Sequence, residues 1–392
     1  MTLRFVDLFC GVGGFHEAAK MIPNTECVFA CDVDKHCREV YEKNFAMTPF
    51  DDMRKVDPNR LPDFDFLCAG FPCQSFSNAG NKNTFNDDRG LLFDEIIRIV
   101  RVKKPKFLFL ENVKHILRVD NGKVIEYIKH KLKDAGYVLQ LFRLSPHNYG
   151  IPQQRERVYF ACVRKDLYDE SEIELVKPED TYIQFDKFLD KDAIPDKYRL
   201  KGDILEVLEA WNEMIHVFQE DEKISPTILA NEFYHTYTEE EWNNLSEWKR
   251  DYISKNKPLY VKYKSHWDAW YDKHRELLSK REIYSKLEWQ VGKIKPNDNI
   301  FDYFIQIRQS GIRVKRAEYF PTLVAISQIP IYGKEKRYIT PRECFRLQSF
   351  PDTYNMSSND RHSYKQVGNA VNVHNAHNVI LSTLTHYNNI PR

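Results

Sequence analysis

The chain reads as an α/β protein, a Rossmann-like, doubly wound and mostly parallel sheet accompanied by a second, smaller domain. Three observations predict this. Over the first 165 residues, short apolar runs alternate with segments of helical spacing. Residues able to do chemistry gather at the carboxyl ends of those runs, the edge at which open parallel sheets bind ligands. From residue 166 the alternation stops, and all six tryptophans fall between Trp211 and Trp289.

In chain order, Leu3 to Leu8 is an apolar strand, followed by the tight turn Phe9-Cys10-Gly11-Val12-Gly13-Gly14 and a helix from Phe15 to Met21. Cys27 to Ala30 is the next strand, ending in Cys31-Asp32-Val33, and Lys35 to Phe45 has helical spacing. Asp51-Asp52-Met53 is expected after a third strand. Phe64 to Ala69, Lys106 to Leu110, Tyr137 to Leu144 and Val158 to Val163 supply further strands. Helical segments at Leu91 to Val102 and Lys123 to Asp134 separate them. The expected domains are residues 1–185, a smaller domain over 186–335, and 336–392 as a hinge that returns to the first.

Composition narrows the function classes. The 392 residues carry a net charge of +1 and negative mean hydropathy, with no apolar run near the roughly 20 residues of a membrane span. The start, Met1-Thr2-Leu3-Arg4-Phe5, enters a strand pattern without a signal peptide, so a cytoplasmic protein is expected. Eight cysteines then fit a reducing compartment. They form no Cys-x-x-Cys pair and no His pair completes a zinc set, so no metal is expected.

Gly70-Phe71-Pro72-Cys73-Gln74 breaks the strand Phe64 to Ala69 and starts a loop. Proline has fixed φ and no N–H, which helps hold the Cys73 thiol at the strand's end. A buried cysteine by default packs as a small hydrophobe. Here the Gly-Phe-Pro frame and the polar residues that follow favour a nucleophile, which needs a pocket that stabilises its thiolate. Glu111 ends the strand Lys106 to Leu110. A carboxylate there costs desolvation unless it has a task, and the raised pKa suits a group that shares a proton near neutrality. Arg155 and Arg157 are two apart on an extended segment and share a face, where guanidinium forks suit carboxylates, phosphates and carbonyl oxygens. The polar loop Asn78 to Arg89 begins five residues after Cys73 and is placed to close as a lid. Three glycines in the first turn allow close backbone approach, and Asp32 about 20 residues on can accept from ribose hydroxyls. The spacing Gly11-Val12-Gly13-Gly14 is not the Gly-x-Gly-x-x-Gly of dinucleotide sites.

Gly70-Phe71-Pro72-Cys73-Gln74 resembles the nucleophile loop of the DNA (cytosine-5) methyltransferases, and Asp7 to Phe15 resembles that family's S-adenosylmethionine loop. Gln153-Gln154-Arg155-Glu156-Arg157, Pro341 to Leu347 and Gln366-Val367-Gly368-Asn369-Ala370-Val371 match later motifs in the family's order. The resemblance implies an S-adenosyl-L-methionine-dependent methyltransferase fold. It places Phe9 against the adenine, Asp32 at the ribose and Asp52 at the adenine amino group, with Gly11 to Gly14, Val33, Met53 and Asn369-Ala370 also binding the cofactor. It further implies that Cys73 attacks carbon 6 of a flipped cytosine while Glu111 bonds ring nitrogen 3. Arg155 and Arg157 would then hold base and backbone, and the carbon 5 proton would leave as Cys73 is expelled. The implied partner is double-stranded DNA, met by a monomer, with a companion restriction endonuclease acting on the same site. A tRNA cytosine-5 methyltransferase shares these motifs but usually has Pro-Pro-Cys where this chain has Phe71-Pro72-Cys73. A catalytically inactive DNA-binding relative should have lost Cys73, Glu111 or an arginine. With no long extension before Asp7, a bacterial or phage modification enzyme is the expectation.

The region between 166 and 315 lacks such motifs, and family members differ there to recognise different DNA sequences. From Lys249 to Arg316 there are 17 Lys plus Arg against 8 Asp plus Glu. That surplus of nine is the footprint expected for a phosphate backbone. The aromatic residues read mostly as a local core. Thr238-Glu239-Glu240-Glu241 resembles a capping box opening one helix through Trp242, Leu245, Trp248 and Tyr252.

Overall fold

The structure, a computed structural model, describes residues 2–72, 91–177, 181–224, 227–326 and 328–388. The chain divides into two compact units: Met1–Phe188 with Val324–Ile326 and Pro341–Arg392, and Leu189–Leu323 with Ser327–Thr340. Cys73 and the lid expected from Asn78 to Arg89 lie outside the described residues.

The first unit alternates as the sequence predicts: β1 (Leu3–Leu8), α1 (Gly14–Lys20), β2 (Thr25–Cys31), α2 (Lys35–Phe45), β3 (Phe66–Gly70), α3 (Leu91–Lys103), β4 (Phe107–Val113), α4 (Lys123–Asp134), β5 (Tyr137–Leu144) and β6 (Arg157–Arg164). The strand order is β2-β1-β3-β4-β6-β5. All neighbours are parallel except β6, which runs against both β4 and β5. Side-chain alternation sorts the two faces. Leu108, Leu110, Val158, Phe160 and Cys162 meet Ile96, Val100, Ile128 and Leu132 of α3 and α4 in one core. The other parity carries Phe5 stacked on Phe66 at 5.0 Å, with Phe109 edge-on to Phe66. At the carboxyl edge this second ladder turns polar, and Gly70 pairs with Glu111. The chain's last elements, α9 (Pro341–Leu347), α10 (Asp360–Asn369) and α11 (Val373–His386), return here, with α11 against α1.

Two expectations are corrected. Among the described residues no third strand precedes Asp52. Phe50 alone bridges Cys31, through Phe50 N–H to the Ala30 carbonyl and Asp32 N–H to the Phe50 carbonyl. Ala46 in left-handed backbone and Pro49 without an N–H leave too short a run for a ladder. Glu111 therefore belongs to the fourth strand and lies within it, not after a fifth.

The second unit holds α5 (Gly202–Ile215), β7 (Thr227–Leu229), α6 (Glu239–Asn244), α7 (Glu247–Lys262), α8 (Lys264–Ser279), β8 (Lys286–Gln290), β9 (Phe304–Arg308), β10 (Gly311–Lys315), β11 (Ile331–Tyr332) and β12 (Arg337–Tyr338). The strands order as β12-β11-β9-β10-β8-β7, with only β10 and β8 parallel. Trp211, Trp267 and Trp270 pack ring to ring in its core with Leu287, Ile305 and Ile312. Two of the three indoles are hydrogen-bonded, Trp211 donating to the Tyr284 carbonyl at 2.8 Å and Trp270 to that of Ala210 at 2.7 Å, whereas Trp267 Nε1 is buried without a hydrogen-bond partner among the described residues. Thr238 and Glu241 do form a capping box, but the expected single helix is two. Leu245 is extended and Ser246 starts α7, since Asn243-Asn244 holds a helix poorly.

The basic surplus of residues 249–316 does not survive at the scale of the unit. Counted whole, the second unit carries 25 Lys plus Arg against 25 Asp plus Glu. Acidic residues upstream answer the cations, as Glu213 does Lys273, Glu222 Lys262 and Glu232 Lys249. Among the described residues no helix is long and apolar enough to cross a membrane. No group of three His, Cys, Asp or Glu side chains among them could hold a metal ion.

Candidate active site

The turn after β1 is built from left-handed backbone. Phe9, Gly11 and Gly13 have φ of 52°, 52° and 80°. At Gly13 an added Cβ would lie 2.3 Å from the Phe45 ring, and at Gly14 one would lie 2.5 Å from the Val371 carbonyl oxygen. Gly11 instead faces open space. Asp32 fixes this turn: one carboxylate oxygen accepts from Gly11 N–H at 2.7 Å, the other from Asp34 N–H at 2.8 Å. Each oxygen retains a further acceptor position for a hydroxyl. Burial raises the Asp32 pKa, and these two amide hydrogen bonds work against the rise. Val33 beside it is 71% exposed, whereas Met53 is buried. Asp52 takes a two-pronged bond from the Arg54 guanidinium at 2.9 Å each, which holds its carboxyl below the usual range. The donor set suits a nucleoside: an open glycine surface, a buried carboxylate with spare acceptor capacity, and Phe9 half-buried at the turn.

At the sheet's centre, Glu111 is buried and its Oε1 lies 3.2 Å from Arg157 Nε. That contact is an ion pair without hydrogen-bond geometry, so Oε1 has no hydrogen-bond partner among the described residues. Burial raises the Glu111 pKa, offset in part by the charges of Arg157 and Arg155. Its neighbour Asn112 donates from Nδ2 to the Phe71 carbonyl at 2.8 Å, tying β4 to the loop that leads to Cys73.

The two arginines part company. Arg157 meets Glu111, while Arg155 donates from Nη2 to the carbonyls of Gly368 at 2.9 Å and Ala370 at 3.0 Å. Burial and the charge of Arg157 push Arg155 down to about 9, still charged at neutral pH. Arg155 thus holds the returning segment, while Arg157 serves the central carboxylate. Asn369 is exposed there and Ala370 buried. Gln348 Nε2 donates to Val367 and Ala370 carbonyls, and the Tyr354 hydroxyl donates to the Val12 carbonyl. Sequence reasoning missed Asn112, Gln348 and Tyr354 as supports. A polar residue directly after Glu111 was a usable signal for the first. Tyr354 offered none, its partner lying 342 residues away.

The assembled residues thus unite the predicted Gly-rich turn, Asp32, Glu111, Arg155, Arg157 and Asn369-Ala370 in one unit. The family described as C-5 cytosine-specific DNA methylase matches residues 3–384. The type II methyltransferase M.HhaI of Haemophilus parahaemolyticus is 30% identical over 369 residues, 94% of this chain and 90% of that protein. M.BanI of Aneurinibacillus aneurinilyticus is 30% identical over 95% of this chain and 94% of its own. Among solved structures, the Dnmt2 methyltransferase of S. pombe superposes with a TM-score of 0.57 at 18% identity, covering 99% of both chains.

Proposed function

The chain belongs to the C-5 cytosine-specific DNA methylases, and from that premise we propose that it methylates one cytosine within a specific double-stranded DNA sequence by flipping the base and attacking it with Cys73. It is an enzyme, a DNA cytosine-C5 methyltransferase, and its cofactor is S-adenosyl-L-methionine, which supplies an electrophilic methyl group. The observation that carries the reading is the buried Glu111–Arg157 pair beside Gly70, at the strand end that leads into Phe71-Pro72-Cys73.

Carbon 5 of cytosine is a poor nucleophile inside a duplex, so the base must be extruded, at a cost of a few kcal/mol. The Cys73 thiolate then adds to carbon 6. Glu111, whose pKa burial raises, holds ring nitrogen 3 and lets electron density collect at carbon 5. Arg157 orients Glu111 and the base, and Arg155 braces the return segment that closes the cofactor pocket. After methyl transfer the carbon 5 proton leaves and the bond to Cys73 breaks. Gly11 to Gly14, Phe9, Asp32, Val33, Asp52, Met53, Asn369 and Ala370 bind the cofactor. The second unit reads the target sequence. The enzyme acts as a monomer in a bacterial cytoplasm, as the modification partner of a restriction endonuclease.

The test is methyl transfer by the purified chain to duplex DNA and to tRNA, with Cys73→Ser alongside. Expected are methylation of duplex DNA at carbon 5, a stable adduct through Cys73 on 5-fluorocytosine duplexes, and loss of both in the variant with cofactor binding retained. Preference for tRNA, or turnover by Cys73→Ser, would overturn the reading.

A further inference from the structure

Within the second unit, one pair of cations shares a single carboxylate. Lys249, Lys262, Lys273, Lys280 and Lys293 each meet a carboxylate at 2.5–3.3 Å. On the polar face of the sheet, by contrast, Arg308 and Arg313 share the single carboxylate of Glu288. Strand register sets this up: Arg313 on β10 lies between Glu288 on β8 and Gln306 on β9, while Ile312, Leu287 and Ile307 point to the core. Arg313 Nε donates to Glu288 Oε2 at 2.7 Å, which fixes the guanidinium from behind. Arg308 Nη1 stands 3.6 Å from the same oxygen, too far for a hydrogen bond, and has no hydrogen-bond partner among the described residues. Both arginines remain about a quarter exposed, whereas Glu288 is buried. Lys315 on the same face is held below the usual lysine range by burial and by the charge of Arg313. Arg308 and Arg313 thus outnumber the one carboxylate they share, and Arg308 Nη1 keeps a donor position open.

The two strands turn through exposed Gln309-Ser310, directly beside Arg308. Gly311, at φ 140°, seats the turn on β8, where an added Cβ would lie 2.8 Å from both the Lys286 Cβ and its carbonyl oxygen. The turn is held at its base by β8, and a guanidinium fork fixed from behind matches the O6 and N7 acceptors that guanine presents in a DNA major groove. We propose that the β9–β10 turn is the part of the second unit that enters the major groove, with Arg313 reading a guanine of the target site and Arg308 beside it. This rests on the proposed DNA-methylating function.

The experiment measures methylation by the full chain over a library of duplexes with randomised sites, for wild type, Arg313→Lys and Arg308→Gln. Lysine keeps the charge at 313 and loses the fork. Direct reading of a base is worth about 1–3 kcal/mol, so preference at one guanine-bearing position should fall roughly 10- to 100-fold in Arg313→Lys, with cofactor affinity unchanged. Arg308→Gln should relax the same or the adjacent position, which keeps the idea testable should Arg313→Lys not fold. Variants that weaken all sequences alike, with a salt dependence shallower by about one phosphate, would make these arginines backbone contacts and overturn the assignment. Unchanged site preference would also overturn it. Either result leaves wild-type methylation of DNA intact, whereas a wild type silent on duplex DNA defeats the function itself.

Discussion

Glu111 is the residue on which pH acts. Its folded-state pKa is raised by burial, so the protonated form persists above the ordinary carboxyl range and is lost as pH climbs through the raised value. A rate that depends on protonated Glu111 therefore has an alkaline limb. Arg157, 3.2 Å away, pulls that pKa down, so Arg157→Gln should lower the rate and move the limb to higher pH. Single-turnover rates against pH read this directly, and a limb that moved to lower pH would contradict the charge assignment. Glu111→Gln should remove the limb and reduce the rate strongly with a smaller effect on DNA affinity, because the carboxyl acts on charge that develops during attack. Weak binding at an unchanged rate would leave Glu111 a structural residue.

At the scale of elements, the decisive joint is the one between α10 and α11. Gly368 gives its carbonyl to Arg155, and its Cα faces backbone: an added Cβ would lie 2.4 Å from Val324 carbonyl atoms and 2.6 Å from Ala325 N. Backbone cannot swing aside as a side chain can. Gly368→Ala should destabilise the protein by about 1–3 kcal/mol, seen as a lower Tm. It should also weaken S-adenosyl-L-methionine binding, since Asn369-Ala370 move with it. A variant with wild-type Tm and cofactor affinity would mean that the 324–326 segment yields freely. The same logic explains why Arg155 and Arg157, which share a face by sequence spacing, serve different partners: the chain enters β6 only at Arg157, so Arg155 lies in the preceding turn and reaches the C-terminal return.

The proposed function assigns chemistry to one unit and recognition to the other. Every described residue of the candidate site belongs to the first unit, and the second has its own tryptophan core and sheet. Grafting residues 189–340 into a relative of different specificity should transfer the target sequence while Cys73 chemistry stays with the host. Bisulfite sequencing of DNA from cells expressing the chimera reads the outcome. A folded, active chimera that keeps the host's site would refute the division of labour. The second unit is neutral overall, so the proposed recognition of DNA there rests on local clusters such as Arg308–Arg313 and not on net charge.

The sequence by itself determined the fold class and named most of the residues that the first unit gathers around the end of its sheet. Alternating apolar runs specify strands and helices locally, with Leu3–Leu8, Lys35–Phe45, Lys123–Asp134 and Tyr137–Leu144 found as expected, because periodicity and caps such as Asp34 are short-range properties. A parallel sheet then forces Gly11, Asp32 and Glu111 to one edge whatever the details. Tertiary structure decided what depends on partners far along the chain. Glu111 meets Arg157 through antiparallel pairing of β4 with β6, and Val12 is held by Tyr354. The positive segment 249–316 is answered by carboxylates upstream of it. The missing strand before Asp52 and the break at Leu245 have local causes instead: left-handed Ala46 and Pro49 without an N–H in the one, Asn243-Asn244 that hold a helix poorly in the other.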